Sequence, residues 1–234
     1  MVPLQKKIWR NDVLEWVLDL LYPPKCPFCQ HILDEPRSPL CRSCMTKLPW
    51  LQGAHSQRKI DFAEGCVSPL RYEGAVREAI HRYKFSNIAA YGQPLGILMA
   101  QCVQDHPEIQ VDMVTWTPLS RKRRWERGFD QAELLANSLG HELGLPVQGT
   151  LKKVRHTSRQ STLEEESQRR ANVRGAYALR KHTQVKGKHI LLVDDVVTSG
   201  ATLEECAAML RLAGAERIWC VVLAQAGKKD GKNS

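Results

Sequence analysis

The chain has 234 residues, a net charge of +9 with neutral histidines and 43% hydrophobic content. Those values are ordinary for a globular chain and exclude collagen, coiled coil, low-complexity sequence and wholesale disorder. At roughly 100–200 residues per domain, the length allows one full domain and a small module. No apolar run approaches the ~18 residues a membrane span needs. The N-terminus carries Asp12, Glu15 and Asp19 where a signal peptide needs an uncharged core, so a cytoplasmic protein is expected.

The first part, residues 1–50, opens on apolar residues at helical spacing (Ile8, Val13, Leu14, Val17, Leu18, Leu21), with Trp9 and Trp16 on the same segment. Tyr22-Pro23-Pro24 ends that helix. Two C-x-x-C pairs follow, Cys26/Cys29 and Cys41/Cys44, separated by eleven residues. Paired knuckles of this kind present four thiolates to one tetrahedral ion. A redox C-x-x-C would open a βαβ unit, and neither pair does. With four cysteine ligands no position is left open for water, so the expected ion is a structural zinc. The chain has eight cysteines; Cys66, Cys102, Cys206 and Cys220 lie outside the knuckles and form no constellation with histidine, and Cys206 in a helix and Cys220 in a strand read as packing residues.

Residues 51–110 read as a connecting region with a helix from Ala75 to Arg82, followed by Tyr83-Lys84-Phe85, and a second helix from Leu95 to Val103. From residue 111 to 226 the pattern is α/β. A strand over Val111–Thr117 leads into a basic loop, Arg121-Lys122-Arg123-Arg124-Trp125-Glu126-Arg127, and then a helix to about Leu143. Such a loop holds phosphate groups or is simply a solvated face. A short strand near Thr150–Val154 precedes a long polar stretch, Arg155 to Arg174, whose length suits a lid. Residues 151–190 carry eleven Lys/Arg against three Glu, so most of the net charge sits there. A buried-type strand over Lys188–Val193, a helix over Thr202–Ala213 and a strand over Arg217–Leu223 complete the pattern, and residues 227–234 read as a disordered tail. Strands alternating with helices imply a mainly parallel sheet with ligands at the carboxyl ends of its strands.

One segment combines the pieces of a phosphate-ester site. An apolar strand ends in Asp194-Asp195 and is followed by Thr198-Ser199-Gly200-Ala201-Thr202 at the start of a helix. Backbone N–H groups of that loop and the helix N-terminus converge on an anion, and Gly200 removes the side chain that would block close approach. Two adjacent carboxylates repel phosphate, but they accept hydrogen bonds from the vicinal hydroxyls of a ribose and suit a Mg²⁺ bridging them.

Val193-Asp-Asp-Val-Val-Thr-Ser-Gly-Ala-Thr202 resembles the phosphoribosyl-pyrophosphate (PRPP) signature of type I phosphoribosyltransferases. With the double C-x-x-C after Tyr-Pro-Pro, the Tyr83-Lys84-Phe85 element, the run from Pro118 through Arg127-Gly-Phe-Asp-Gln131, and Arg159-Gln160 followed by Arg169-Arg170-Ala-Asn172, the resemblance widens to the ComF family of late-competence proteins. It implies a type I phosphoribosyltransferase domain behind a zinc module. It also implies that Asp194 and Asp195 hold the ribose hydroxyls and that residues 198–202 bind the 5′-phosphate. Arg121, Arg123, Arg124 and Arg127 are then the pyrophosphate candidates, with Lys84 reaching the same group. Arg159, Gln160, Arg169 and Asn172 would form a hood over the acceptor. Asp130 stands where the family often has Asn, and Ser199 where Thr is common.

The implied cofactors are structural zinc and Mg²⁺ with PRPP; a nucleoside monophosphate shares the moiety and is an alternative ligand. The implied role is support of competence through uptake or processing of single-stranded DNA with a helicase partner. An active transferase acting on a nitrogenous acceptor, or a regulator with PRPP as effector, remain as alternatives. Glutamine-dependent transfer is not expected, because the length leaves no room for a glutaminase domain beside the sheet and the zinc module.

Overall fold

The computed structural model describes residues 23–35, 38–86, 88–155 and 175–227. The predicted N-terminal helix with Trp9 and Trp16, the hood residues Arg159, Gln160, Arg169 and Asn172, nearly all of the lid stretch and nearly all of the predicted tail lie outside the described residues.

The chain folds around a six-stranded sheet. In chain order its elements are α1 (Arg42–Lys47), β1 (Gln57–Arg58), β2 (Gly65–Val67), β3 (Leu70–Arg71), α2 (Gly74–Phe85), α3 (Gly92–Gln104), β4 (Met113–Trp116), α4 (Arg121–Arg127), α5 (Gln131–Leu143), β5 (Leu151–Lys153), β6 (Tyr177–Leu179), β7 (His189–Val197), α6 (Ala201–Leu212) and β8 (Arg217–Gln225). The sheet order is β1-β2-β8-β7-β4, with β3 also on β8. Every pairing is parallel except β1 with β2, and β5 and β6 form a separate antiparallel pair. This is the mainly parallel α/β sheet that the alternation implied.

Burial explains why β7 and β8 read as continuous apolar runs. Leu191 and Val193 face one core with α2, α3 and α5, whereas Ile190 and Leu192 face a second core with α6 and β5–β6. A strand covered on both faces has no polar side to alternate with. The helices on the first face approach closely: a Cβ at Gly96 would stand 2.5 Å from Ser138 Cβ, so α3 and α5 pack backbone to backbone there.

Four boundaries differ from the sequence reading, each for a local reason. Residues 51–110, read as a connecting region, also contribute β2 and β3 to the main sheet, where both pair with β8. The basic segment is the helix α4 and not a loop: Ser120 Oγ accepts from Arg123 N–H at 3.3 Å to start it, and Gly128 at φ +76° ends it. Helix α2 continues three residues past Arg82 and takes in Tyr83, Lys84 and Phe85. Strand β7 continues past Val193 and includes Asp194 and Asp195, because its ladder with β8 runs on to Val197↔Gln225. Among the described residues no helix is long and apolar enough to cross a membrane.

Candidate phosphoribosyl site and cysteine cluster

The carboxyl ends of β4 and β7 open onto one cavity of about 1090 Å³, lined also by residues of α2, α4 and the β5–β6 pair. Parallel strands direct their following loops to the same edge, which is where open α/β sheets place ligands.

Asp194 and Asp195 both line the cavity. Asp195 N–H donates to Asp194 Oδ1 at 2.8 Å, and Lys84 Nζ makes a 2.8 Å ion pair with Asp195 Oδ1. Burial, then the neighbouring Asp195 charge, pushes the Asp194 carboxyl up to about 7, against the opposing pull of the Asp195 N–H, Lys84 and a hydrogen bond from Thr117. Lys84 is thus joined to the carboxylate pair rather than free at the cavity mouth.

After β7 the chain turns through Gly200, whose φ of +91° favours glycine, and α6 begins at Ala201. Thr198 and Thr202 line the cavity, while Ser199 is buried and its Oγ accepts from Ala201 N–H at 3.4 Å. The hydroxyls of Thr198 and Thr202 and the first N–H groups of the twelve-residue α6 form one donor-rich wall.

The opposite wall comes from the β4 end. Thr117, Pro118 and Leu119 lead into α4, and Arg123 and Arg127 line the cavity. Arg127 Nη1 donates to Gln131 Oε1 at 2.8 Å, and its guanidinium stands 5.0 Å over the Phe85 ring. The four arginines therefore divide. Arg124 pairs with Glu133 at 3.0 Å, and Arg121 is exposed and absent from the cavity lining. Asp130 has a scaffolding part: its Oδ2 accepts from Leu119 N–H at 2.9 Å and its Oδ1 from Glu133 N–H, tying the loop after β4 to the start of α5.

Two cavity residues escaped the sequence reading as a pair. Lys153 Nζ donates to Tyr177 OH at 3.1 Å and lies 4.9 Å from the same ring. Burial lowers the Lys153 ammonium to about 8, with Arg123 adding to the shift. Lys153 shares a strand face with the buried Leu151, and that period-two relation was the available signal. It was obscured by Lys152, which is exposed.

In the N-terminal module the four knuckle cysteines gather, their sulfurs all within 4.8 Å of one another. Zn–S bonds of about 2.3 Å put tetrahedral ligand sulfurs about 3.8 Å apart, so the set fits zinc. The Cys44 N–H donates to Cys41 Sγ at 3.5 Å, the chief cause that lowers the Cys41 thiol to about 7 and favours its thiolate. The knuckle is anchored by Arg82 Nη2, which donates to the carbonyls of Pro27 at 3.0 Å and Phe28 at 2.6 Å. Cys66, Cys102, Cys206 and Cys220 are free and buried in the cores, and burial raises each thiol pKa.

Comparison with known proteins gives this arrangement a family. The model of the phosphoribosyl transferase domain matches residues 126–234, and that of the double zinc ribbon domain matches residues 17–58. The chain is 31% identical over 204 residues to the DNA utilization protein YhgH of Salmonella typhimurium, covering 84% of this chain and 82% of that protein. It is 29% identical over 224 residues to competence protein F of Haemophilus influenzae, covering 86% and 97%. Competence protein ComFC of Bacillus subtilis is 27% identical over 143 residues, covering 59% and 55%. Among solved structures, the glutamine PRPP amidotransferase from B. subtilis aligns with a TM-score of 0.39 and 25% identity over 58% of this chain and 26% of that one. A purine phosphoribosyltransferase from Pyrococcus horikoshii aligns with a TM-score of 0.37 and 20% identity over 57% and 72%. The chain belongs to the ComF family, with a type I phosphoribosyltransferase domain and a four-cysteine zinc ribbon before it.

Proposed function

We propose that the cavity binds PRPP with Mg²⁺, or a nucleoside monophosphate, and that the protein works in the cytoplasm in the uptake or processing of single-stranded DNA. The ligand reading rests on one observation: paired carboxylates at the end of β7 and a hydroxyl-lined helix N-terminus share a wall that faces two arginines. The DNA reading rests on the relatives, one named a DNA utilization protein and another a competence protein.

In this reading Thr198, Thr202 and the N–H groups of the 198–202 loop hold the 5′-phosphate, with Gly200 supplying the left-handed turn before Ala201 and Ser199 bracing it. Asp194 and Asp195 accept hydrogen bonds from the 2′ and 3′ hydroxyls. Arg123 and Arg127 face the pyrophosphate, where fixed cations stabilise charge that grows as the C1′–O bond lengthens. Bound Mg²⁺ would add charge neutralisation at the pyrophosphate, and the carboxylate pair offers hard oxygen ligands for it. Lys84 neutralises Asp195 until the ligand arrives. A transferase acting on a nitrogenous acceptor is the second reading, favoured by the rings of Tyr72, His81 and Phe85 in the cavity lining, a surface of the kind that takes a planar base.

The test is calorimetric titration of the zinc-loaded protein with PRPP and Mg²⁺, with pyrophosphate release followed in parallel. Binding is expected for the wild type and its loss for Asp194→Asn/Asp195→Asn. Release that requires an added nitrogenous base would favour the transferase, and no binding by the wild type would refute the ligand reading.

A further inference from the structure

Helix α4 presents two different faces. Arg123 and Arg127 turn into the cavity, whereas Trp125 is 87% exposed, the largest exposure of any large apolar residue among those described. Trp125 follows Arg121 by four residues and Lys122 by three, so on a helix all three share the outer face. Among the described residues neither Arg121 nor Lys122 has a carboxylate within ion-pair distance, in contrast to Arg124 on Glu133. At the cavity rim a second aromatic ring is half exposed, Phe85 at 49%, lying beneath Arg127.

We infer that the outer face of α4 is a contact site for single-stranded nucleic acid, with the Trp125 indole as a base-stacking platform and Arg121 and Lys122 as phosphate ligands. This rests on the reading that the protein handles single-stranded DNA, and it names residues outside the phosphoribosyl cavity. One exposed apolar residue is unremarkable on its own. Here the flat ring shares a helix face with two cations that have no carboxylate partner among the described residues, the combination that single-strand binders use: cations track the backbone and aromatic rings take the bases. A duplex keeps its bases stacked on each other and offers no free base face to the indole. A lipid surface requires a broad apolar stripe, and α4 has one apolar side chain among seven residues. The charge sign fits an anionic polymer.

The experiment is fluorescence anisotropy of a labelled oligo-dT with the full zinc-loaded chain, at several salt concentrations, for the wild type, Trp125→Ala, Trp125→Phe and Arg121→Gln/Lys122→Gln. Stacking of one base predicts affinity about 5- to 150-fold weaker for Trp125→Ala, with the salt slope unchanged. Trp125→Phe should retain most of the binding. Loss of two phosphate contacts should reduce the slope of log K against log salt by about 1.4. Duplex DNA should not distinguish Trp125→Ala from the wild type. Wild-type binding that Trp125→Ala leaves intact overturns this inference and spares the DNA reading. Failure of the wild type to bind oligo-dT overturns both. Binding to phosphatidylglycerol vesicles that requires Trp125, without oligo-dT binding, would assign the face to lipid. Because the side chain is exposed, the thermal unfolding midpoint of Trp125→Ala should match that of the wild type, which separates loss of contact from loss of fold.

Discussion

Asp130→Asn offers a stringent check on the electrostatics of the loop after β4. Asp130 is 3% exposed, and burial raises its carboxyl from 3.8 to about 6 despite the N–H groups of Leu119 and Glu133. A raised carboxyl pKa means that the folded chain holds the proton more tightly than the unfolded chain. The stabilising contribution of the protonated acid is therefore complete below about 3.8 and is lost as pH rises through about 6. At 1.36 kcal/mol per pKa unit, the penalty is about 3 kcal/mol at pH 8 and about 1.6 kcal/mol at pH 5. An asparagine carries no such penalty. It keeps one carbonyl acceptor for Leu119 N–H and forfeits the longer bond to Glu133 N–H, a cost of about 1 kcal/mol that does not vary with pH. Relative to the wild type, the variant should therefore gain about 1.4 kcal/mol between pH 5 and pH 8. For a chain of this size that is about 3–6 °C in the unfolding midpoint. Thermal unfolding of both proteins at the two pH values measures the double difference directly. A gap between the two midpoints that stays constant with pH would refute the buried, partly neutralised carboxylate.

Two further outcomes follow from the same geometry. Lys84→Met leaves the Asp195 carboxylate without its ammonium at a position where both side chains are largely buried, and should lower stability by about 1–3 kcal/mol in urea unfolding; an unchanged midpoint would mean that the pair is solvated. Zinc analysis should give one ion per chain, and chelation should open residues 23–48 to protease before the sheet is cut. Two ions or none would contradict one ion held by the four-cysteine cluster, the one such cluster among the described residues.

Much of the site was legible because its residues are contiguous. Asp194-Asp195 and the 198–202 loop form one stretch of chain, and the two C-x-x-C pairs carry their geometry in their spacing. The division among the four arginines was not legible, because it depends on Ser120 and Gly128 turning a charge run into a helix with an inner and an outer face. The basic run shows four equivalent cations until helical rotation sends Arg123 and Arg127 inward, Arg124 to Glu133 and Arg121 to solvent. The first strands were missed for another reason. β1 and β3 have two residues each and β2 three, too short for periodicity to register; β2 and β3 exist because β8 offers them an edge, and β1 pairs in turn with β2.

Helix α2 shows most clearly what local pattern cannot carry. Arg82 and Lys84 are two residues apart, about 200° around a helix axis, so they leave the helix on nearly opposite sides. One holds the Pro27 and Phe28 carbonyls of the first knuckle, and the other holds Asp195 at the end of β7. Their partners lie 54 or more residues away in sequence, in opposite directions along the chain. Both contacts are short and charge-assisted, and each ties α2 to an acceptor in another part of the fold. The last turn of this helix therefore sets the distance between the cysteine cluster and the carboxylate pair. Arg82 and Lys84 both line the cavity, so the wall that α2 contributes is tied at one turn to the first knuckle and to the carboxylate pair.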